Sequence, residues 1–396
     1  MKLEIAKWLN DHEAPCVLMI DDVSDAYIEE YEETFKNDWG YLLDREGSSF
    51  FEFEKNLLAI YPEIKITFFI PYARHAVIND NTVLNHVKYG IGERKEFSDF
   101  LIKLKGLGHE LSHHGSNHGE YKTSGSDSWI QEWELFETVD FGVNITTFGI
   151  DLFKEHTHFD VVGGKYCGYK YNEISSKIIE ESGFLYWCSD AKFFQSDDAY
   201  ISKYPYIDFP TTIPGNIFVK YKYKTGNIRK DFAKVFVGKL QFLFNIFYKY
   251  RILKLINNRS VLSIQEHFSP STTRGIVQSA NVHSDAESLR MIFSFLSKYD
   301  IWYATCENIS KYIYAANSTA INVLDDVIEV FYNDLRNVGA VNLSFVIDEN
   351  LIVEDFNSGE KFQMVKKSRG YIVNLNISPG INVFKIRNSD NHMLVK

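Results

Sequence analysis

Cysteine is scarce, and its few copies are scattered. Cys16, Cys167, Cys188 and Cys306 include no CxxC pair, which argues against a zinc knuckle or a thioredoxin-type centre. In a chain of 396 residues they do not read as a disulfide framework either. Long apolar runs are missing too. No uncharged stretch of about 18 residues exists, so no membrane-spanning helix is expected. The opening segment MKLEIAKWLNDHEAPCVLMIDD has no apolar core followed by a small-residue cleavage site, and cytoplasmic residence is the resulting expectation. Basic charge is in deficit, with 42 Lys and Arg against 53 Asp and Glu and a net charge of −11. That balance argues against general nucleic-acid binding. No internal repeat or low-complexity tract stands out.

What is present is the composition of a globular protein: 45% hydrophobic and 24% charged residues. The length suggests two domains. Aromatics reach 15%; their faces suit sugar binding, but ordinary cores use them as well.

Along the chain, strand-like apolar runs alternate with helix-like patterns. Pro15 to Ile20 reads as a buried strand that stops at Asp21-Asp22, and Ile64 to Ile70 as a second, closed by Pro71. Phe97, Phe100, Leu101 and Leu104 have the spacing of one helical face, with Gly106 as the expected stop. A short strand through Glu110 to Ser112 leads into a histidine cluster. Asn172 reads as an N-cap and Gly183 as the end of the helix behind it, before the strand Phe184 to Cys188. Val261 to Ile264 is another buried strand. Ser284 and Glu287 form a predicted capping box before a helix, the strand Ile301 to Ala304 and a last helix from about Glu307 to Tyr314. Such alternation implies a mostly parallel sheet covered by helices, and does not separate a barrel from an open sheet. After a boundary near Ala315–Thr319 the pattern changes to short alternating segments: Ile328–Tyr332, Gly339–Ile347, Leu351–Asp355, Lys361–Lys366, Gly370–Ile377 and Gly380–Ile386. These predict an antiparallel β-sandwich at 320–396.

Three features sit at strand ends, where parallel architectures assemble their sites. Asp21-Asp22 are adjacent carboxylates that are costly to crowd together without a cation; as a lone feature they read as a solvated turn. In GHELSHHGSNH, His114 and His118 are four apart and would share one face of a helical turn, with His113 a competing ligand and His109 read as structural. Glu266-His267-Phe268 places an imidazole at a strand exit, which alone would be a loop histidine. Together they supply a carboxylate and two imidazoles for a divalent metal, plus a spare acid and a spare imidazole. Three protein ligands leave a position for water, whose pKa a metal lowers from 15.7 to about 7. A spare Asp can take its proton and a spare His can protonate a leaving amine, as amide hydrolysis requires.

In the order and content of these motifs the chain resembles the polysaccharide deacetylase family, the NodB-homology carbohydrate esterases, over about residues 15–315. MIDD is similar to the family's TFDD, which implies that Asp21 is the general base and Asp22 a metal ligand. GHELSHHGSNH is similar to GHEIGNHTxxH, which implies His114 and His118 as ligands and leaves His113 at a non-ligand position. VLSIQEHF is similar to the last motif and implies His267 as the catalytic acid. The implied fold is a distorted (β/α) barrel of about seven strands at 1–316. The family's third motif, RxPxG, is matched by Gly164-Lys165-Tyr166-Cys167-Gly168, without its Arg and Pro. The resemblance therefore offers Lys165 as a substitute orienting group for the base, although Lys and Arg are not equivalent. It offers the N–H of Cys167 as an oxyanion donor and Asp190 as a match to the fourth motif, where a turn or cap role competes. Gly115 stands where Ser or Thr is usual.

Residues 220–259 carry eleven basic residues and one acid, Asp231, a local balance of +10. Between them runs FVGKLQFLFNIFYKYRILKLI. A packed helix with lysines snorkelling to water is the ordinary reading. A cationic amphipathic helix against an anionic membrane face, or a lipid-linked substrate, is the functional one.

The expected activity is metal-dependent N-deacylation, N-deacetylation above all, of an amino sugar in a glycan or in a nucleotide- or lipid-linked precursor of a surface polysaccharide. Zinc is the expected ion, and no other cofactor is expected. The protein would be cytoplasmic, peripheral at the inner face of the membrane. The alternative is an inactive deacetylase-like barrel that binds carbohydrate.

Overall fold

In the computed structural model, eight parallel strands of the expected α/β region are arranged in the order of the chain. The structure describes residues 2–28, 38–41, 48–73, 86–121, 129–195, 205–218, 228–268 and 281–388. The strands are β1 (Ala14–Asp21), β2 (Ile66–Ile70), β3 (Glu110–His113), β4 (Gly163–Lys165), β5 (Tyr186–Cys188), β6 (Ile207–Asp208), β7 (Ile213–Pro214) and β8 (Leu262–His267). Their spatial order is β6-β5-β4-β3-β2-β1-β8-β7. Apart from β6 and β7, each strand lies beside its successor, and β8 returns to β1 with His267 opposite Asp21. A doubly wound sheet would reverse direction at a switch point. This one does not reverse, and its two edges, β6 and β7, are five residues apart in one stretch of chain.

That stretch closes the circle. Phe209 N donates to Trp187 O at 2.8 Å and Thr211 N to Asp190 O at 3.0 Å, on the β5 side. Thr212 N then donates to Ser263 O at 3.1 Å and Gly215 N to Gln265 O at 3.2 Å, on the β8 side. Residues 207–214 thus act as one stave that changes partner halfway, and the fold is a distorted (β/α) barrel of seven staves.

The strands form where the residues are apolar and buried on both faces, as β1 (APCVLMID) illustrates with every residue buried. Inside the barrel, Glu110 is satisfied by two hydroxyls: Thr67 Oγ1 and Tyr186 OH donate to its two oxygens at 2.8 and 2.7 Å. The β4 stave is Gly-Gly-Lys because large rings lie over it. A Cβ at Gly163 would stand 2.0 Å from Tyr186, and one at Gly164 would stand 2.1 Å from Trp187.

Several local expectations change. The helix Lys95–Gly106 contains Gly106, and the left-handed residue after it is Gly108, at φ +80°. Asn172 does not cap the next helix directly. It accepts from Ile174 N at 3.2 Å in a turn before Ser175–Glu181. The Ser284–Glu287 capping box is absent. The helix Ala286–Leu296 starts after Asp285, whose carboxylate folds back to accept from Asn281 N at 3.0 Å.

The helix Ile228–Asn257 has 30 residues; residues 220–227 of the basic insert lie outside the described residues. Ile252, Leu255 and Ile256 are buried, whereas Phe242, Leu243, Phe244, Ile246, Phe247 and Tyr250 are exposed, Phe242 by 70%. No helix among the described residues is long and apolar enough to cross a membrane.

Two compact units divide the chain: Cys16–Tyr299 with Tyr303–Cys306, and Met1–Pro15 with Asp300–Trp302 and Glu307–Lys396. The second holds two antiparallel sheets. One orders Leu3–Ile5, Val341–Ile347, Gly370–Ile377 and Val365–Lys367. The other orders Thr319–Leu324, Val327–Tyr332, Gly380–Asn388, Leu351–Asp355 and Lys361–Phe362. Alternation buries Ile328, Val330 and Tyr332 on one sheet and Val373, Leu375 and Ile377 on the other. The first fifteen residues group with this unit because Leu3–Ile5 pairs with Phe345–Ile347. The expected strand Lys361–Lys366 is two strands, one in each sheet.

Gly164→Ala is expected to destabilise the protein by about 1–3 kcal/mol, the usual cost of forcing extra volume into a packed wall. Urea denaturation monitored by circular dichroism measures it; an unchanged midpoint would show that Trp187 yields freely.

Candidate functional site

The site lies at the carboxyl ends of β1, β3, β4 and β8. Asp21 is the last residue of β1, and Asp22 follows in the left-handed region at φ +66°. This reversal turns two consecutive carboxylates to different partners, where an extended chain would splay them to opposite faces. Both are buried, at 3% exposure.

Asp22 Oδ1 lies 3.3 Å from His114 Nε2 and 3.2 Å from His118 Nε2. The imidazoles meet edge to face with centroids 5.1 Å apart. The expected helical turn does not bring them together. Residues 114–118 form a loop after β3, bent by Gly115 at φ +76° and His118 at φ +74°. The other ring nitrogen of His114, Nδ1, lies 3.1 Å from Lys165 O; as a donor to that carbonyl it leaves Nε2 a lone pair facing Asp22. Burial works against a charge on His118, but Asp22, with Glu132 and Asp21, holds its imidazole above the ordinary range. A carboxylate and two imidazoles converging with their donor atoms a little over 3 Å apart fit a divalent cation of the zinc type.

Asp21 is engaged separately. Lys165 Nζ, 1% exposed with its residue, lies 2.9 Å from Asp21 Oδ1 and 2.6 Å from Oδ2. Burial alone would depress the Lys165 ammonium; the Asp21 carboxylate holds it raised. The rings of Phe69 and Tyr169 flank that ammonium, with centroids 5.4 and 4.8 Å away. Gln265 Nε2 donates to Asp21 Oδ2 at 3.0 Å, and His267 Nε2 stands 3.7 Å from the same oxygen. Gln265 and His267 are two apart on β8, so the strand places both on Asp21's side. Tyr169 OH bonds both Gln265 Oε1 and Thr211 Oγ1.

The structure therefore brings together Asp21, Asp22, His114, His118, Lys165 and His267. Cys167 joins them through its thiol, which donates to His114 O at 3.2 Å. Asp190 stands apart: its carbonyl accepts from Thr211 N in the closing stave, and its charge acts on Asp208. His113 points away from the cluster. Its Nδ1 accepts from Gly115 N at 3.0 Å, and burial pushes its pKa down to about 3. His109 accepts from Ile66 N through Nδ1 at 3.3 Å, and burial pushes it down to about 4.

Glu132 was missed by the sequence reading. Its buried carboxylate accepts from the backbone N–H of Ser116 at 2.8 Å and from those of Asn117 and His118 at 3.1 Å. Ser116 Oγ also donates to it, at 2.7 Å. One carboxylate thus fixes the loop that carries the second imidazole, and a Cβ at residue 115 would stand 2.4 Å from its Oε2. Glycine at 115, where the resembling family has a side chain, is the one trace of it in the sequence.

No family model matches the chain. No curated protein matches it in sequence. Among solved structures, it is similar to one described as a polysaccharide deacetylase from Mycobacterium smegmatis, with 16% identity, 81% of this chain and 97% of that chain covered, and a TM-score of 0.44. It is similar to another from Pseudomonas aeruginosa PAO1, with 15% identity, coverage of 78% and 93%, and a TM-score of 0.41. A family 4 carbohydrate esterase pseudoenzyme from Bacillus anthracis matches with 11% identity, coverage of 75% and 65%, and a TM-score of 0.34. At these values each is a distant likeness of fold.

Glu132→Ala is expected to cost about 3 kcal/mol by orphaning several buried donors. It should also weaken binding of a divalent cation by about 10–100-fold, as loss of a supporting hydrogen bond does. Urea denaturation and zinc titration by calorimetry check the two effects; unchanged zinc affinity would separate Glu132 from the site.

Proposed function

We propose that the protein is a metal-dependent deacylase that removes an N-acyl group, N-acetyl above all, from an amino sugar. The observation that carries this reading is the convergence of His114 Nε2 and His118 Nε2 on Asp22 Oδ1, at 3.3 and 3.2 Å, beside a second carboxylate that Lys165 engages. Asp22, His114 and His118 would hold the ion, with zinc favoured by the donor set. When bound there, a divalent cation supplies Lewis acidity, which makes water acidic near neutral pH and polarises a carbonyl.

The chain's own groups divide the proton work. Asp21 is the base that accepts a proton from water. Lys165 and Gln265 hold its carboxylate in one orientation, as the family's Arg would. His267 delivers a proton to the departing amine nitrogen. Its 3.7 Å approach to Asp21 Oδ2 favours proton return between turnovers. A non-catalytic carbohydrate-binding barrel is the second reading, and the low exposure of Asp21, Asp22 and His114 favours it.

The substrate class we favour is a cytoplasmic precursor presented at an anionic membrane face. Six large apolar side chains exposed within 242–250, inside the insert 220–259 whose sequence carries a balance of +10, support this placement.

Asp21→Asn is expected to lower acetate release from N-acetylated amino sugars by about a hundredfold or more while one metal per chain stays bound. Retained activity would remove Asp21 as the base. Metal bound without acyl release by the unaltered protein, across nucleotide-linked sugars and oligosaccharides, would favour the binding reading. Sedimentation with anionic vesicles should carry the protein down, less so as salt rises; equal recovery in the supernatant with and without vesicles would remove the membrane placement.

A further inference from the structure

Cys167 opens the short 3₁₀ turn Cys167–Tyr169 just after β4, and its side chain is fully buried. It is in no disulfide. The thiol turns toward the imidazole pair: donor atoms of His114, His118 and Cys167 all lie within 4.8 Å of one another. In a tetrahedral site, zinc–sulfur and zinc–nitrogen bonds of about 2.3 and 2.1 Å put sulfur and nitrogen about 3.6 Å apart. A shift of up to about an ångström brings the thiol and the two imidazoles to that spacing.

The neighbours keep that space for sulfur. A Cβ at Gly115 would come within 3.1 Å of Cys167 Sγ, so glycine there leaves room for the thiol beside the first imidazole. Gly168 and Tyr169 both lie in the left-handed region, at φ +54° and +55°, and this tight turn fixes the direction in which Cys167 leaves β4. The Lys165 carbonyl at the end of β4 is the group 3.1 Å from His114 Nδ1. One short segment thus supports an imidazole from behind and presents a thiol beside it.

We propose that Cys167 is a fourth protein ligand to the cation held by Asp22, His114 and His118. This rests on the metal-site reading above and deepens it. On coordination the S–H bond is broken, a metal–sulfur bond forms and the proton leaves to solvent. Four protein donors make a closed tetrahedral set. Cys167 then decides whether the site is open: water and substrate gain access when the thiolate leaves or the coordination expands to five. A thiolate also selects zinc, cobalt or cadmium over magnesium and manganese, which prefer oxygen.

The test is to load metal-free full-length protein with Co(II) and record its absorption spectrum. A near-ultraviolet sulfur-to-cobalt charge-transfer band is expected in the unaltered protein. Cys167→Ser should lack it while still binding one cobalt per chain. Cobalt bound without that band in the unaltered protein would overturn the fourth ligand and leave the three-ligand site standing. No cobalt bound at all would overturn both. X-ray absorption of the zinc-loaded, unaltered protein needs no variant to fold: one sulfur neighbour at about 2.3 Å is expected, and a shell of nitrogen and oxygen alone would refute the proposal.

Discussion

Lys165 and Asp21 meet across the mouth of the barrel with water excluded from both, and the arrangement of the other groups follows from that pairing. Two consecutive carboxylates, buried at 3% exposure each, repel one another and resist desolvation. The ammonium neutralises the first of them. The left-handed turn at Asp22 moves the second away to the imidazoles. Removing either partner of such a pair leaves an uncompensated charge in the interior, which costs far more than the pair contributes. The pairing also keeps the partners of the two acids separate: Asp21 is engaged by nitrogen donors from β4 and β8, while Asp22 faces the two imidazoles.

The local backbone serves the same end. Glycines at 163 and 164 let Tyr186 and Trp187 pack over β4, so the strand that carries Lys165 lies under a rigid aromatic layer. Trp187 in turn stacks edge-on against Trp133, with centroids 4.9 Å apart. Trp133 follows Glu132, the residue whose carboxylate holds the 116–118 backbone. Packing and polar anchoring are therefore continuous from the wall of the barrel to the metal-type ligands, and the loop that bears His118 is fixed without belonging to any regular element.

Much of this was legible in the sequence. The apolar run into Asp21-Asp22 marked a strand end, because a buried strand cannot continue through two acids. His114, His118 and His267 were legible through motif resemblance; the helical geometry first invoked for the pair was not what the chain uses. Lys165 was legible by its place in the third motif. Glu132 was not, because it acts across 14 to 16 residues of sequence through main-chain donors, and such donors leave no side-chain pattern. The thiol of Cys167 was hidden for a similar reason: its side-chain direction is set by a 3₁₀ turn, which motif spacing does not show. Barrel closure was invisible because β6 and β7 have two residues each, too few to show any alternation. The Ser284–Glu287 box failed because the helix begins one residue later, with Asp285 at the N-cap position.

The divided stave at 207–214 has a consequence for the chemistry. Thr211 lies at the point where this stave exchanges neighbours, and its hydroxyl shares the Tyr169 phenol with Gln265, which in turn grips Asp21. The seam of the cylinder is thereby linked by hydrogen bonds to the carboxylate of Asp21. A distortion that widens the seam would pull on the phenol, the amide and finally the carboxylate, so the girth of the barrel and the orientation of Asp21 are mechanically coupled.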